Sequence, residues 1–172
     1  KKKSIYFETY RPKVSKDIVP SPAKDPRLIE KKQKQIVQGA SKLFFQKGFH
    51  GTSIREIAEE SGMSLGQLYH YISSKDDILF LIYTHMQQMW YEYVIDFGLE
   101  EAEDPLDRLI RAIRTTTAFA TKNKKLFQFL FSESKHLGKK HLKIILEMDS
   151  RNISGFFHKL LEEVNKKHKL DY

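Results

Sequence analysis

Three helix-start signatures crowd into residues 53–77, and they constrain this chain more than any other feature. Ser53-Ile54-Arg55-Glu56, Ser64-Leu65-Gly66-Gln67 and Ser74-Lys75-Asp76-Asp77 each place a hydroxyl before a helix and an acid or amide three residues later. In such a capping box the hydroxyl accepts from a free first-turn amide, and the later side chain reaches back to the cap's own N–H. The third box is the weaker one, because Asp stands where Glu is preferred. Starts this close leave room for two short helices, to about Glu60 and Tyr71, before a long one to about Phe97. Ser61-Gly62-Met63 joins the short pair, and Gly62 tolerates the positive φ that a sharp turn demands.

Helical spacing continues on both sides. Ile29, Ile36, Val37, Ala40, Leu43 and Phe44 form a stripe that predicts a helix from about Arg27 to Lys47, stopped by Gly48. The long helix carries Ile78, Leu79, Ile82, Met86, Met89 and Trp90 inward. Asp104-Pro105 is an N-cap with a first-turn proline, and Leu106, Leu109, Ile110 and Ile113 follow it. After Asn123 comes a short aromatic helix with Leu126, Phe127, Leu130 and Phe131. After Gly138 a last helix is expected from about Lys139 to Lys167, with Leu142, Ile145, Leu146, Ile153, Phe156, Phe157, Leu160 and Val164 as its stripe. No segment alternates as a strand does, so the fold class expected is all-α.

Composition narrows the function. The chain has 172 residues, 40% hydrophobic and rich in aromatics, enough for a core and at most two small domains. It has no cysteine, which excludes disulfides, Cys-based zinc sites and a cysteine nucleophile and fits a cytoplasmic location. No secretory signal is read at the Lys-rich start, because Ser4 to Lys16 is polar, and no apolar run is long enough for a bilayer. No membrane partner is therefore expected. The net charge is +8, and residues 1–35 hold eleven Lys/Arg against four Asp/Glu. Four prolines lie in residues 1–27, which read as a basic extended arm suited to an anionic partner or simply solvated. None of the seven histidines forms an i, i+4 metal pair with a helpful carboxylate. There is no Gly-rich phosphate loop and no nucleophile elbow. The expectation is a protein that is not an enzyme and that uses no cofactor and no metal.

Two short helices around a glycine turn, braced by a helix on each side, make a helix-turn-helix, a motif that sets its second helix into the major groove of DNA. Ala58, Met63 and Leu68 suit the crossing of the two helices, and Leu65, Gln67, Tyr69, His70 and Tyr71 the outer face. The stretch from Ile36 to Ile82 resembles the DNA-binding domain of the tetracycline-repressor (TetR) family of bacterial regulators. The resemblance is carried by Ala40-Ser41-Lys42-Leu43-Phe44, Gly48-Phe49-His50-Gly51-Thr52-Ser53-Ile54, Ile57-Ala58, Ser61-Gly62-Met63-Ser64, Leu68-Tyr69-His70-Tyr71 and Ser74-Lys75-Asp76-Asp77-Ile78-Leu79, in order and with the right gaps. It implies that Thr52 and Ser53 hold a DNA phosphate at the start of the second helix, with Tyr71 and Lys75 doing so on the far side. It also implies that Ser64, Leu65, Gln67 and His70 face the groove. Gln67 can pair with adenine and Leu65 can touch a thymine methyl. Gly66 is read as admitting the DNA backbone closely or, equally, as easing helix packing. Tyr69 serves contact or packing.

The organisation expected is a basic arm over 1–27, a DNA-binding domain over 28–74 and a helical regulatory domain over 75–172. The resemblance implies a small-molecule pocket in the last, for which Met86, Met89, Trp90, Tyr93, Phe119, Phe127 and Phe131 are candidate lining residues for an apolar effector, fatty acyl or aromatic. It implies a homodimer on an inverted-repeat operator, with the effector controlling DNA binding, most often as a repressor. Family members usually carry two further C-terminal helices for dimerisation. Their absence before Tyr172 implies either a missing tail or another dimer surface. The rival reading is an architectural DNA binder without a ligand, motivated by the basic arm.

Overall fold

The computed structural model describes Val19 and residues 21–169. Residues 1–18 and 20, most of the expected basic arm, lie outside the described residues. Among the described residues eight α-helices run in order: α1 Pro26–Lys47, α2 Ile54–Glu60, α3 Leu65–Tyr69, α4 Lys75–Asp96, α5 Pro105–Lys122, α6 Lys124–Glu133, α7 Lys139–Asp149 and α8 Gly155–His168. Short 3₁₀ turns cover Leu99–Glu101 and Ser134–His136. There is no strand among the described residues. The protein is all-α, a helix-turn-helix followed by a helical domain.

The chain divides into two compact units. One holds the chain up to His85 together with Gln128–Leu142; the other holds Met86–Phe127 and the chain from Lys143 onward. The helix predicted to open the second domain, α4, thus gives its first residues, Lys75 to His85, to the first unit.

The first unit is built on α1. Asp25 caps it by accepting from the N–H of Arg27 at 2.9 Å, Pro26 occupies the first turn, and Gly48 at φ 74° ends it. Where α1 crosses the α2–α3 turn the backbones nearly touch. A Cβ added at Gly39 would lie 2.6 Å from the Ser61 hydroxyl and 3.2 Å from its nitrogen, so a larger residue there would have to turn the hydroxyl away and push the backbones a few tenths of an ångström apart. Ile36, Val37, Ala40, Phe44, Ile57, Ala58, Leu68, Ile72, Ile78, Leu79 and Ile82 fill the core. Fully burying each of the larger ones is worth roughly 1.5–3 kcal/mol. Residues 128–142 close the unit. Phe129 stacks on Phe44 at 5.5 Å, and the Tyr83 hydroxyl donates to the Leu130 carbonyl at 2.6 Å. Asp76 accepts from the N–H of Gly138 at 2.8 Å and meets His141 Nδ1 at 2.6 Å.

In the second unit α5 packs on α8. Trp90, Phe119, Met148, Phe156 and Leu160 are buried, and Trp90 Nε1 donates to the Thr116 hydroxyl at 3.2 Å. Arg108 joins Glu163 at 2.6 Å and also donates to the Ala102 carbonyl at 2.7 Å. Two readings of the sequence are corrected. The last helix is not uniform: Ser150–Ser154 is a π turn, closed by the N–H of Gly155 bonding to the Ser150 carbonyl. Ser150, Asn152, Ser154 and Gly155 favour a helix weakly, and the wider turn lets the Asn152 amide reach Gln87 Oε1 at 3.1 Å. The wider turn also shifts the helical phase, so Ile145 and Met148 go inward while Leu142 and Leu146 face solvent. On α5 the buried face is Ala112, Thr115 and Phe119, and Leu106, Ile110 and Ile113 are exposed.

Gln87 Nε2 also donates to Asp149 at 2.5 Å. Burial raises the Asp149 carboxyl above its usual range, partly opposed by that hydrogen bond. A raised value means that the folded state holds the proton more tightly than the unfolded chain, so stability is lost as pH rises through the folded value. Asp149→Asn keeps an acceptor for Gln87 and removes the buried charge. Its thermal midpoint should exceed the wild type's at pH 7.5, with the gain shrinking as pH falls toward 4; thermal unfolding across that range checks it.

Candidate nucleic-acid interface

The start of α2 is held from several directions. Ser53 Oγ accepts from the N–H of Glu56 at 3.2 Å, and the Ser53 N–H donates to Glu56 Oε2 at 2.8 Å. The hydrogen bond from Lys47 at 2.5 Å, and then those from Ser53, lower the Glu56 carboxyl to about 2. The carboxylate is therefore neutralised by an ammonium, so the helix end does not repel an approaching anion as a bare acid would. The first-turn amides of Ile54 and Arg55 have no acceptor within the helix. Of the two hydroxyl residues read as phosphate-holding, only Ser53 is exposed. Thr52 is buried, and its hydroxyl donates back to the Gly48 carbonyl at 2.9 Å, tightening the turn.

Lys75, at the start of α4, does not extend freely into solvent. Its Nζ donates to the carbonyls of Phe49 at 2.6 Å and Thr52 at 3.0 Å, and it lies 4.4 Å from the centre of the Phe49 ring. Partial burial lowers its pKa. An ammonium has three donors, so one remains for a phosphate. The lysine read as a pure phosphate contact is thus also the brace of the α1–α2 turn.

α3 has five residues, and only Leu68 is buried. Ser64 Oγ accepts from the N–H of Gln67 at 3.2 Å, and the Ser64 N–H donates to Gln67 Oε1 at 3.0 Å. Gly66, Gln67, Tyr69 and His70 are exposed, Leu65 and Tyr71 half-buried. Tyr69 therefore stands outside the core rather than packing in it. A Cβ added at Gly66 would meet nothing within 4 Å, so no neighbour in the fold requires glycine there. Gly62 takes φ 65° in the turn. Behind α3, Gln33 Nε2 donates to the Tyr71 carbonyl at 3.1 Å and Ser21 Oγ to the His70 carbonyl at 2.5 Å. Ser53, Ser64, Gly66, Gln67, Tyr69 and His70 are thus exposed on two capped helices joined by one glycine turn.

Among the candidate effector residues, Tyr93, Phe119 and Phe127 come together in the second unit, which also holds Trp90. Tyr93 lies 5.6 Å from Phe119, Phe119 lies 6.0 Å from Phe127, and Trp90 packs edge-on against Phe156. Met86 is buried and Met89 half-buried on α4. Phe131 does not join them: it is 87% exposed, because α6 turns Phe129 and Leu130 inward at that point. The sequence reading missed the His50–His136 pair, the Asp76–His141 contact and the Gln87–Asp149–Asn152 group. Each joins residues far apart in the chain, and no local spacing signals it. Among the described residues no helix is long and apolar enough to cross a membrane.

The architecture defines a helix-turn-helix protein with a helical C-terminal domain. The family model for bacterial regulatory proteins of the tetR family matches residues 36–82, the segment built from α1, α2, α3 and the start of α4. The transcriptional regulator HbdR of Aromatoleum sp. (strain CIB) is 38% identical over 99 residues, which cover 58% of this chain and 43% of that protein. AibR, solved in complex with isovaleryl coenzyme A and operator DNA, has a similar fold, with a TM-score of 0.64 at 22% identity over 82% of this chain and 76% of that one. So does a Clostridium perfringens fatty acid metabolism regulator, described as putative, with a TM-score of 0.63 at 22% identity over 80% and 73%. The segment from residue 36 to 82 thus matches the helix-turn-helix region of the tetR family of bacterial regulatory proteins. The chain spans less than half the length of the curated relative HbdR.

Lys75→Met keeps an apolar stem near Phe49 but leaves the Phe49 and Thr52 carbonyls without their donor. The expected loss is about 1–3 kcal/mol. Urea unfolding should show a lower midpoint with an unchanged slope.

Proposed function

We propose that the chain is a sequence-specific DNA-binding transcriptional regulator, working as a homodimeric repressor released by a small apolar effector. The observation that carries this is the exposed, doubly capped α3 beside the start of α2, a surface with no packing role in its own unit. Ser53, with the first-turn amides of α2, takes one phosphate; Tyr71 and the remaining Lys75 donor take another. Leu65, Gly66, Gln67 and His70 enter the major groove, with Ser64 at the mouth. Gln67 Oε1 is bonded to its cap, but its second lone pair and its NH₂ group suit bidentate pairing with adenine. Gly66, which no neighbour in the fold needs, admits the DNA backbone closely. The aromatic group of Tyr93, Phe119 and Phe127, with Trp90 in the same unit, suits an acyl or aromatic effector. The isovaleryl coenzyme A held by AibR and the fatty acid regulator among the similar folds support the acyl class. The effector acts by binding one conformation better than the other and so disfavouring the DNA-bound one.

Selection of bound duplexes from a random pool at near-physiological salt tests this reading. An enriched inverted repeat, with half-sites about 34–36 Å apart, is expected of a dimer. Salt-sensitive binding with no enriched sequence would leave the architectural reading instead. On the selected site Gln67→Ala should cost about 1–3 kcal/mol and relax one base position. Titration of wild type and variant on the selected site and on single-base changes of it reads both effects. An equal loss on every sequence would remove Gln67 from the reading face.

A further inference from the structure

We propose that His50 and His136 form a proton-sensitive latch, which holds the turn in front of α2 to the Glu133–Leu137 segment and opens on acidification. Their Nε2 atoms lie 3.0 Å apart, the rings perpendicular with centroids 4.2 Å apart. At that distance one nitrogen donates and the other must accept with a free lone pair. An imidazolium has no lone pair to offer, so two protonated rings lose the bond and place like charges about 3 Å apart. Histidine is the side chain whose charge changes between about pH 5 and 8.

The surroundings decide how many protons the pair tolerates. From the end of α6, Glu133 Oε2 stands 3.5 Å from His136 Nε2 and favours a first proton. A singly protonated pair keeps its bond, now charge-assisted. The second proton has no such support. From α4 the Lys75 ammonium lies 4.4 Å from the centre of Phe49, the ring on which His136 stacks at 5.1 Å and 5°. A charged His136 therefore shares an aromatic ring with a cation already present. From α1 and α2, Lys47 and Glu56 bond to each other at 2.5 Å and leave little net charge. Lys135, next to His136, is exposed and basic. A second proton therefore leaves no acceptor between the two rings, and the latch opens with it.

What it releases is specific. The turn from Phe49 to Thr52 carries both carbonyls that hold Lys75, and it ends on the Ser53 cap of α2. Opening loosens the start of α2 from residues 133–137. The effect on DNA rests on the function proposed above; the latch does not, and its test is read without DNA.

The test is amide hydrogen exchange of the full chain at pH 7.5 and 5.5, each corrected for the intrinsic rate at that pH. In the wild type, residues 49–53 and 133–137 should lose about tenfold protection on acidification, the worth of one hydrogen bond of about 1.4 kcal/mol. His50→Gln offers an acceptor and a donor but does not titrate, so it can pair with His136 in either state. Its protection should be high and nearly equal at the two values. His136→Phe keeps the stack on Phe49 without the bond and should show low protection at both. Wild-type protection that does not change with pH would overturn the latch. So would a His50→Gln variant that loses the same factor as the wild type. If His136→Phe does not fold, the comparison of wild type with His50→Gln decides alone.

Discussion

A helix of five residues cannot stand by itself, because nucleation costs more than so few bonds return. α3 exists because both its ends are held. Ser64 and Gln67 close its first turn, Leu68 drops into the core, and Ile72 follows it there. Everything exposed on α3 depends on that one buried leucine and that one reciprocal cap. The turn before α3 is set in turn by Gly39, where α1 comes so close to Ser61 that an added methyl group would crowd its hydroxyl and backbone. The exposed face of α3 is therefore held in place by the same contacts that make the motif compact.

The electrostatics at the neighbouring turn follow the same economy of groups. Lys75 neutralises no carboxylate; it ties two backbone carbonyls and lies over an aromatic ring. Glu56 caps α2 and is itself neutralised by Lys47. Lys47, Glu56 and Lys75 thus each have a partner within the fold. That arrangement fixes the turn within the fold, so the DNA contact proposed above would need little further ordering there. It also ties the turn to residues 133–137, through Phe49, His50 and His136.

The second unit mixes a dry aromatic group with a buried polar one. Trp90, Phe119 and Phe156 supply apolar surface, while Gln87, Asp149 and Asn152 satisfy one another around the π turn. A half-buried carboxylate kept by a neutral amide costs stability at neutral pH, and π turns recur where helices have uses other than packing. The exposed Leu106, Ile110 and Ile113 on α5 show that amphipathic spacing alone does not say which face is covered.

Sequence by itself determined the helices, their caps and the helix-turn-helix. Those features are set by residues three or four apart, and the boxes at Ser53, Ser64 and Ser74 form as their spacing requires. It left open which side chains α3 presents: Tyr69 could serve contact or packing, and the fold leaves it exposed while Leu68 is buried. Tertiary structure alone decided the rest. Thr52 points inward because the Gly48 carbonyl lies in reach, and Lys75 turns back because two carbonyls of the α1–α2 turn face it. Phe131 faces solvent because Phe129 and Leu130 take the inward positions. His50 meets His136 across 86 residues of chain, a pairing no local pattern encodes. Hydrogen bonds between distant segments depend on how whole helices pack, and that is where the switchable chemistry of this protein lies.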